Sequence, residues 1–286
     1  MILKPPRWNI SPALVSPEAR ALFKGLAFLA PLWDVAGGKG ALLGPNGGPL
    51  ADANIVAGAN AQKRATPYGI GVGTSSTSTD VLYQDNFAPI VTSDRAGTGD
   101  FTLVCMANPI AEARASVAVG QRQSSDPYNY ALFLLNSNFV GNEVSGQFCF
   151  STYNGTGSSA EVAGAIDGKM HVFGGVRRGT NMYAYVDGVL RASSSGTVED
   201  VYNSANGFGI GNLAPSGAGM RIATGTNIVL AAGWNRALSG AEMRLLARDP
   251  FCMFRMAMVS PSLWAAVGGS SIVPIVMRQY RARRAA

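Results

Sequence analysis

Short apolar runs separated by Gly, Asn, Asp and Ser fill the chain from about residue 31 to residue 234. This rhythm is typical of a β-sandwich, since each run has the length of one strand and each polar break suits a turn. Helical periodicity is nearly absent from the same stretch. The clearest strand-like runs are 101–106, 115–120, 130–135, 146–152, 170–176, 182–186 and 228–233. We therefore expect an all-β body.

Turn and cap signals add a hairpin and two helices to this body. Asp187 and Gly188 follow the run 182–186 and predict a two-residue hairpin turn, because both residue types tolerate positive φ. Ser16 as N-cap and Pro17 in the first turn predict a short helix that stops at Gly25. A second helix, 239–248, is predicted by a capping box of Ser and Glu at its start and is closed by the proline at position 250.

Charge is scarce and unevenly distributed. Only 14% of the 286 residues are charged and 47% are hydrophobic, against roughly a quarter charged in an average soluble domain. This composition excludes a disordered chain. The net charge is +6, but four arginines lie within the last nine residues, so the rest of the chain is close to neutral. A low-charge body suits a subunit that buries surface against neighbours.

The residues that carry most enzyme chemistry are missing or scattered. His171 is the only histidine, which excludes a metal site built on several histidines within one chain. We interpret it as a packed or surface residue of a strand. There is no phosphate-binding Walker A run, no Gly-x-Ser-x-Gly elbow and no closely spaced set of acids along one strand. We expect no enzyme activity and no cofactor.

Metal and disulfide sites are not expected either. Asp34 beside Trp33 would suit a calcium site, but no cluster of acids follows it, and we interpret it as a polar turn. Cys105, Cys149 and Cys252 form no Cys-x-x-Cys spacing and are predicted to be buried free thiols. Residues 1–7 lack the features of a signal peptide, and no apolar stretch has the length of a membrane span, so neither secretion nor a membrane partner is predicted.

Several motifs resemble one protein family. They are Lys4-Pro5-Pro6 in the N-terminal arm, MYAYVDGVL at 182–190, FGIG at 208–211, WNRALSGAEMRLLAR at 234–248 and IVPIVMRQYRARR at 272–284. Their order is similar to that in concanavalin A-like (laminin G-like) jelly-roll proteins among the structural proteins of tailed bacteriophages. The resemblance implies an arm with a short helix (1–30), a jelly-roll sandwich that includes helix 239–248 (31–266), and a C-terminal strand with an arginine-rich tail (267–286).

The same resemblance implies a non-enzymatic structural component of a virion, serving in head decoration, the neck or the tail. Such a protein is made in the host cytoplasm, and its partners are other virion proteins and copies of itself. Its terminal arms are expected to anchor it in the assembly. The candidate anchor residues are Lys4, Arg7, Trp8, Arg278, Gln279, Tyr280, Arg281, Arg283 and Arg284.

The arginine tail suits three roles. It can coat nucleic acid with Tyr280 stacking on a base, dock on an acidic groove of a neighbouring subunit, or stay solvated. Four arginines after a short apolar strand resemble an anchor more than a domain that fills a groove, so docking on a subunit is favoured over nucleic acid, which is not excluded.

Carbohydrate binding is the alternative function. Tyr128, Tyr130, Tyr153 and Asn154 combine aromatic rings with an amide near predicted turns, which suits stacking on a sugar ring and hydrogen bonds to its hydroxyls. The same composition is ordinary for hairpin loops. In this alternative the protein is an adhesin on the virion that recognises a host surface glycan.

Overall fold

The computed structural model describes a subset of the chain that holds most of the sandwich. These residues are 15–32, 39–40, 55–57, 61–74, 82–84, 90, 99–111, 116–121, 130–135, 147–153, 157–195, 207–211 and 222–254. All the predicted anchor residues, together with Tyr128 and Asn154, lie outside them. The division into arm, sandwich and tail therefore stays a prediction.

The predicted all-β sandwich with a few short helices is confirmed. In chain order the elements are α1 (Pro17–Ala21), β1 (Leu26–Pro31), β2 (Lys39–Gly40), β3 (Ile55–Ala57), β4 (Ala61–Thr66), β5 (Gly69–Thr74), β6 (Leu82–Gln84), β7 (Phe101–Asn108), β8 (Ser116–Gln121), β9 (Tyr130–Leu135), β10 (Phe148–Tyr153), β11 (Gly157–Val162), β12 (His171–Arg178), β13 (Asn181–Val186), β14 (Val189–Ser195), β15 (Phe208–Ile210), β16 (Asn227–Trp234), α2 (Gly240–Arg248) and a 3-10 helix (Cys252–Phe254).

Within the described residues, two antiparallel sheets of eight strands form the body. The first has the order β14-β13-β12-β7-β16-β5-β4, and β1 also pairs with β16. The second has the order β11-β10-β9-β8-β15-β6-β3-β2. Strand β16 therefore pairs with β7 along one edge, and with β5 and then β1 along the other.

The turn and cap predictions are confirmed, except that the first helix ends at Ala21 and not at Gly25. Asp187 and Gly188 have φ of 51° and 73° and join β13 to β14. Ser16 caps α1, with Pro17 in its first turn, and Gly25 ends the following turns at φ 70°. Ser239 forms the predicted capping box at the start of α2.

The space between the sheets is filled by aromatic rings. Phe28 meets Phe208 edge-on, with ring centroids 4.9 Å apart, and Phe101 meets Phe150 at 5.6 Å. All four rings are fully buried. Gly175 on β12 has room for no side chain, because a Cβ there would collide with the ring of Phe150. Only glycine fits at position 175, because the two sheets approach each other closely there.

The other face of the first sheet is covered by the helices. Strand β16 is buried at every position because one face meets the second sheet and the other meets α1, α2 and the 3-10 helix. This explains its unbroken apolar run. Trp234, Met243 and Leu246 belong to this outer cluster and are almost completely buried.

A set of hydrogen bonds joins the two ends of the described chain beside this cluster. Trp234 Nε1 donates to the carbonyl of Leu22 at 2.6 Å. Arg236 Nε donates to the carbonyl of Lys24 at 2.6 Å, and its Nη2 bonds Glu242 Oε1 at 2.6 Å. Burial alone would raise the pKa of Glu242. Hydrogen bonds from Arg236 and Ser239 to its carboxylate outweigh burial, so the pKa lies below its usual value. Because the carbonyls at the end of α1 find donors here, β1 is held beside β16.

We expect Arg236→Ala to lower the free energy of unfolding by about 2 kcal/mol, since Glu242 loses its ion-pair partner and the carbonyls of Ala21 and Lys24 each lose one hydrogen bond. The matched control is Arg248→Ala in the exposed last turn of α2, with an expected loss of about 0.5 kcal/mol. Urea denaturation followed by tryptophan fluorescence measures both. Equal losses for the two variants would contradict the role given to Arg236.

Candidate functional site

A cleft of about 520 Å³ opens at one end of the first sheet. Its lining comes from the β4–β5 turn, the last residue of β7, the first residue of β16 and the segment before β12. The lining residues are Ala65, Thr66, Pro67, Tyr68, Asn108, Gly168, Lys169, Met170 and Asn227. Strands β4, β7 and β16, one turn and the segment before β12 thus contribute to one concave surface, a usual form for a ligand site.

Tyr68 presents the aromatic surface of the cleft. It lies in the tight turn between β4 and β5, where its backbone N–H donates to Thr66 Oγ1 at 3.2 Å. Half of its surface is exposed, which is unusual for a ring of this size in the described part of the chain. An exposed ring in a concave surface offers a face for stacking.

A pair of asparagines faces this end of the sheet. Asn108 Oδ1 accepts the backbone N–H of Asn227 at 2.7 Å and its Nδ2 at 3.1 Å, and that Nδ2 also donates to the carbonyl of Gly225 at 3.1 Å. Asn227 is only 9% exposed, and its Oδ1 has no hydrogen-bond partner among the described residues. Gly73 on β5 makes room for this amide, since a Cβ there would lie 2.7 Å from Oδ1.

A nearly buried carbonyl oxygen without a donor is costly, and such atoms are rare in folded proteins. The amide pair closes the backbone of β16, and both of its residues line the cleft.

The wall opposite Tyr68 is held by an acidic and basic cluster. His171 Nδ1 lies 2.7 Å from Asp187 Oδ2, and Nε2 lies 3.0 Å from Asp167 Oδ1. The Asp167 carboxylate also accepts the N–H of Lys169 at 2.9 Å and contacts its Nζ at 3.2 Å. The backbone hydrogen bond from Lys169, followed by the contacts of His171, lowers the pKa of Asp167 to about 2. His171 is thus a partly exposed strand residue whose ring is hydrogen-bonded and also packs edge-on against Phe173, in agreement with the prediction of a packed or surface residue.

This cluster is not a metal site. Each imidazole nitrogen points at a carboxylate, so the three side chains do not converge on a common point. Across the ranges that the structure describes, no three His, Cys, Asp or Glu side chains come together in a way that could hold a metal ion. Cys105, Cys149 and Cys252 are buried thiols that form no disulfide, as predicted, and burial raises the pKa of Cys105.

Two of the tyrosines predicted from the sequence, Tyr130 and Tyr153, lie at the other end of the sandwich. Tyr130 pairs with Thr152, next to Tyr153, which pairs with Gly157. Thr152 in turn contacts Met182, near the end of β12 that is far from His171. The length of β12 separates that end from the cleft by roughly 23 Å. The backbone brings Tyr130 and Tyr153 together, but away from the cleft.

The residues of the cleft were missed by the sequence analysis. Pro67-Tyr68-Gly69 is a turn signal with an aromatic residue at its tip, and that signal was available in the sequence. Asn108 and Asn227 carry no such signal, because their meeting depends on the pairing of β7 with β16 across more than a hundred residues.

No protein-family model and no curated protein matches this chain. Solved structures do match. The binding domain of Paraclostridial Mosquitocidal Protein 1 has a TM-score of 0.53 at 11% identity, over 80% of this chain and 53% of that chain. A receptor binding domain has a TM-score of 0.56 at 10% identity, over 82% and 53%. A mutant Trypanosoma rangeli sialidase displaying trans-sialidase activity has a TM-score of 0.54 at 17% identity, over 86% and 37%.

At these identities the likeness shows the fold alone, a β-sandwich. The chain spans about a third to a half of the length of the structures it matches. The jelly-roll character expected from the sequence agrees with these matches, whereas the bacteriophage family stays a prediction. No helix within the described residues has the length and apolarity needed to cross a bilayer.

We expect Asn108→Ala to lower the free energy of unfolding by about 2 kcal/mol, because two donors of Asn227 lose their acceptor at a partly buried position. Asn108→Asp is the matched control, since a carboxylate oxygen still accepts both bonds and should preserve most of the stability. Thermal and urea unfolding compare the two. Equal destabilisation by Ala and Asp would show that the acceptor at position 108 is unimportant.

Proposed function

We propose that this chain is a non-enzymatic binding domain that holds a neutral saccharide in the cleft at Tyr68. The observation that carries the proposal is the combination of a half-exposed ring with two asparagine residues on one concave surface. A ring stacks on the apolar face of a sugar, and the amides of Asn108 and Asn227 suit its hydroxyl groups. This is the adhesin function expected as the alternative, with the cleft in place of the predicted tyrosine loops.

Charge in the cleft favours a neutral ligand. Lys169 is the one cationic side chain that lines it among the described residues, and its ammonium group lies 3.2 Å from a carboxylate oxygen of Asp167. An acidic sugar would compete with that carboxylate for the same ammonium group. The hydroxyl groups of a neutral sugar leave this ion pair undisturbed.

A binding role also fits the similar structures. Two of them are binding domains and one is a sialidase, so both binding and carbohydrate chemistry are found on this fold. Because one fold hosts many functions, these matches raise the plausibility of a saccharide ligand without identifying it.

The acidic pair near the cleft is poorly suited to hydrolysis. Glycoside hydrolysis needs one carboxyl group that is protonated and can act as a general acid. Asp167, with its pKa lowered to about 2, is ionised at any working pH. Asp187 is turned to the backbone N–H of Val172 and to His171, at 2.9 and 2.7 Å. These contacts support a non-enzymatic role.

A structural role in a virion is the second candidate function. It is favoured by the charge distribution, since a body poor in charge precedes a tail with four arginines in nine residues. The two functions are compatible, because an adhesin on a particle needs both an anchor and a ligand site. Copies of this chain and other virion proteins are the proposed partners of the anchor, and the virion is the proposed location.

We expect Tyr68→Ala to weaken saccharide binding roughly three- to tenfold, the range for loss of one aromatic contact. Calorimetric titration with glucose, galactose, mannose and N-acetylglucosamine measures the affinities. Leu190→Ala is the matched control, because Leu190 is similarly exposed but lies on β14 outside the cleft. Unchanged binding by Tyr68→Ala, or absence of binding to all four sugars and to a glycan array, would overturn the proposed function.

We expect removal of residues 278–286 to leave the sandwich folded, because the described core is built without them, and to block incorporation into particles. Circular dichroism checks the fold, and the amount of chain in purified particles checks incorporation. A truncated chain that enters particles at the wild-type level would rule out an anchoring tail.

A further inference from the structure

His171 connects the wall of the cleft to a hairpin turn. The residue opens strand β12, and its two ring nitrogens contact Asp187 in the β13–β14 turn and Asp167 in the preceding segment. Asp187 is further fixed because its Oδ1 accepts the backbone N–H of Val172 at 2.9 Å. One imidazole thus bridges a rigid turn and a segment that lines the cleft.

The segment on the other side of this bridge forms the cleft wall. Gly168, Lys169 and Met170 line the cleft and follow Asp167 directly. Besides His171, Asp167 has its own local bond from the Lys169 N–H, which moves with the segment. The link from the segment to β7 is the hydrogen bond from the Gly168 N–H to the carbonyl of Pro109 at 3.0 Å. The contact with His171 is therefore a second attachment of the wall to the sheet.

The number of protons on the imidazole decides whether both attachments hold. An imidazolium ring donates from both nitrogens, whereas a neutral ring donates from one and presents a lone pair at the other. A lone pair facing a carboxylate is repelled. Of the two contacts, the one to Asp187 is shorter and its carboxylate is also fixed by Val172, so the contact to Asp167 is the one lost on deprotonation.

We propose that protonation of His171 locks the 167–170 wall of the cleft against the sheet, and that deprotonation releases it. For the ligand this rests on the proposed function: the saccharide then binds more tightly at acidic pH than at alkaline pH. The wall is pre-organised for the ligand only when both contacts are made.

The charged groups around His171 support this assignment. Asp167 and Asp187 face the ring directly, Lys169 faces it through Asp167, and from α2 the backbone of Arg244 packs against Gly188 beside Asp187. Burial lowers the pKa of His171, but the hydrogen bonds and charges of Asp187 and Asp167 outweigh burial and raise it. The stabilisation is therefore complete below the ordinary histidine pKa and is lost as the pH rises through the raised value.

The sole histidine of the chain makes the experiment direct. Its imidazole proton signals are followed by NMR from pH 5 to 9, together with the amide signals and hydrogen exchange of Gly168 and Lys169, in the protein without ligand. We expect the chemical shifts of both amides to change with the same midpoint as the His171 ring signals. Their protection against hydrogen exchange, relative to an unfolded chain at the same pH, should be lower above that midpoint. Calorimetry with the four sugars should show affinity falling about fivefold across the same midpoint.

Two variants sharpen the test. Asp167→Asn removes a charge that favours the imidazolium, so the His171 ring should titrate at a lower pH. The amide signals of Gly168 and Lys169 should then no longer change with the titration of the ring. Asp100→Asn is the matched control, because Asp100 accepts the Gly179 N–H at the far end of β12. It should leave the midpoint unchanged.

Amides of Gly168 and Lys169 that stay flat through the His171 midpoint would overturn the inference, as would a saccharide affinity that does not change across it. The proposed function fails separately. If the wall titrates as expected but none of the sugars binds at any pH, the lock is supported and the saccharide ligand is wrong.

Discussion

Strand β16 must be buried on both faces and paired along both edges. The described elements around it meet this requirement: β7, β5 and β1 pair with its edges, and apolar residues cover its faces. A strand buried in this way needs a second sheet on one face and another layer on the other. The helices supply that layer, and Trp234 and Arg236 bond the carbonyls that end α1. The N-terminal helix and the motif after β16 are thereby joined although about 200 residues separate them.

The cleft follows from how the same strand begins. The side-chain oxygen of Asn108 accepts the backbone and side-chain N–H groups of Asn227, while Asn227 Oδ1 finds no donor in the part of the chain that the structure describes. The β4–β5 turn adds the ring of Tyr68, and the segment before β12 adds a wall that His171 attaches to the sheet. Strand order therefore gathers an aromatic face, an amide acceptor and a titratable support at one end of the sandwich.

The fold was predictable because its signals are local. Apolar runs of strand length, the Asp187-Gly188 turn and the capping box at Ser239 each depend on a few neighbouring residues, and all three are found in the structure. The site was not predictable, since Asn108 meets Asn227 only through long-range pairing. The partners of His171 were not predictable for the same reason, because Asp187 reaches it only when the β13–β14 hairpin has formed.

The central claim is that the cleft at Tyr68 is where a ligand binds. Chemical-shift mapping of the wild-type chain with N-acetylglucosamine, galactose, glucose and mannose tests it most directly. The account predicts that the side-chain amide signals of Asn108 and Asn227 and the backbone signals of Tyr68 and Lys169 move together with increasing sugar. Changes confined to Tyr130 and Tyr153 at the far end, or no change with any sugar, would contradict it.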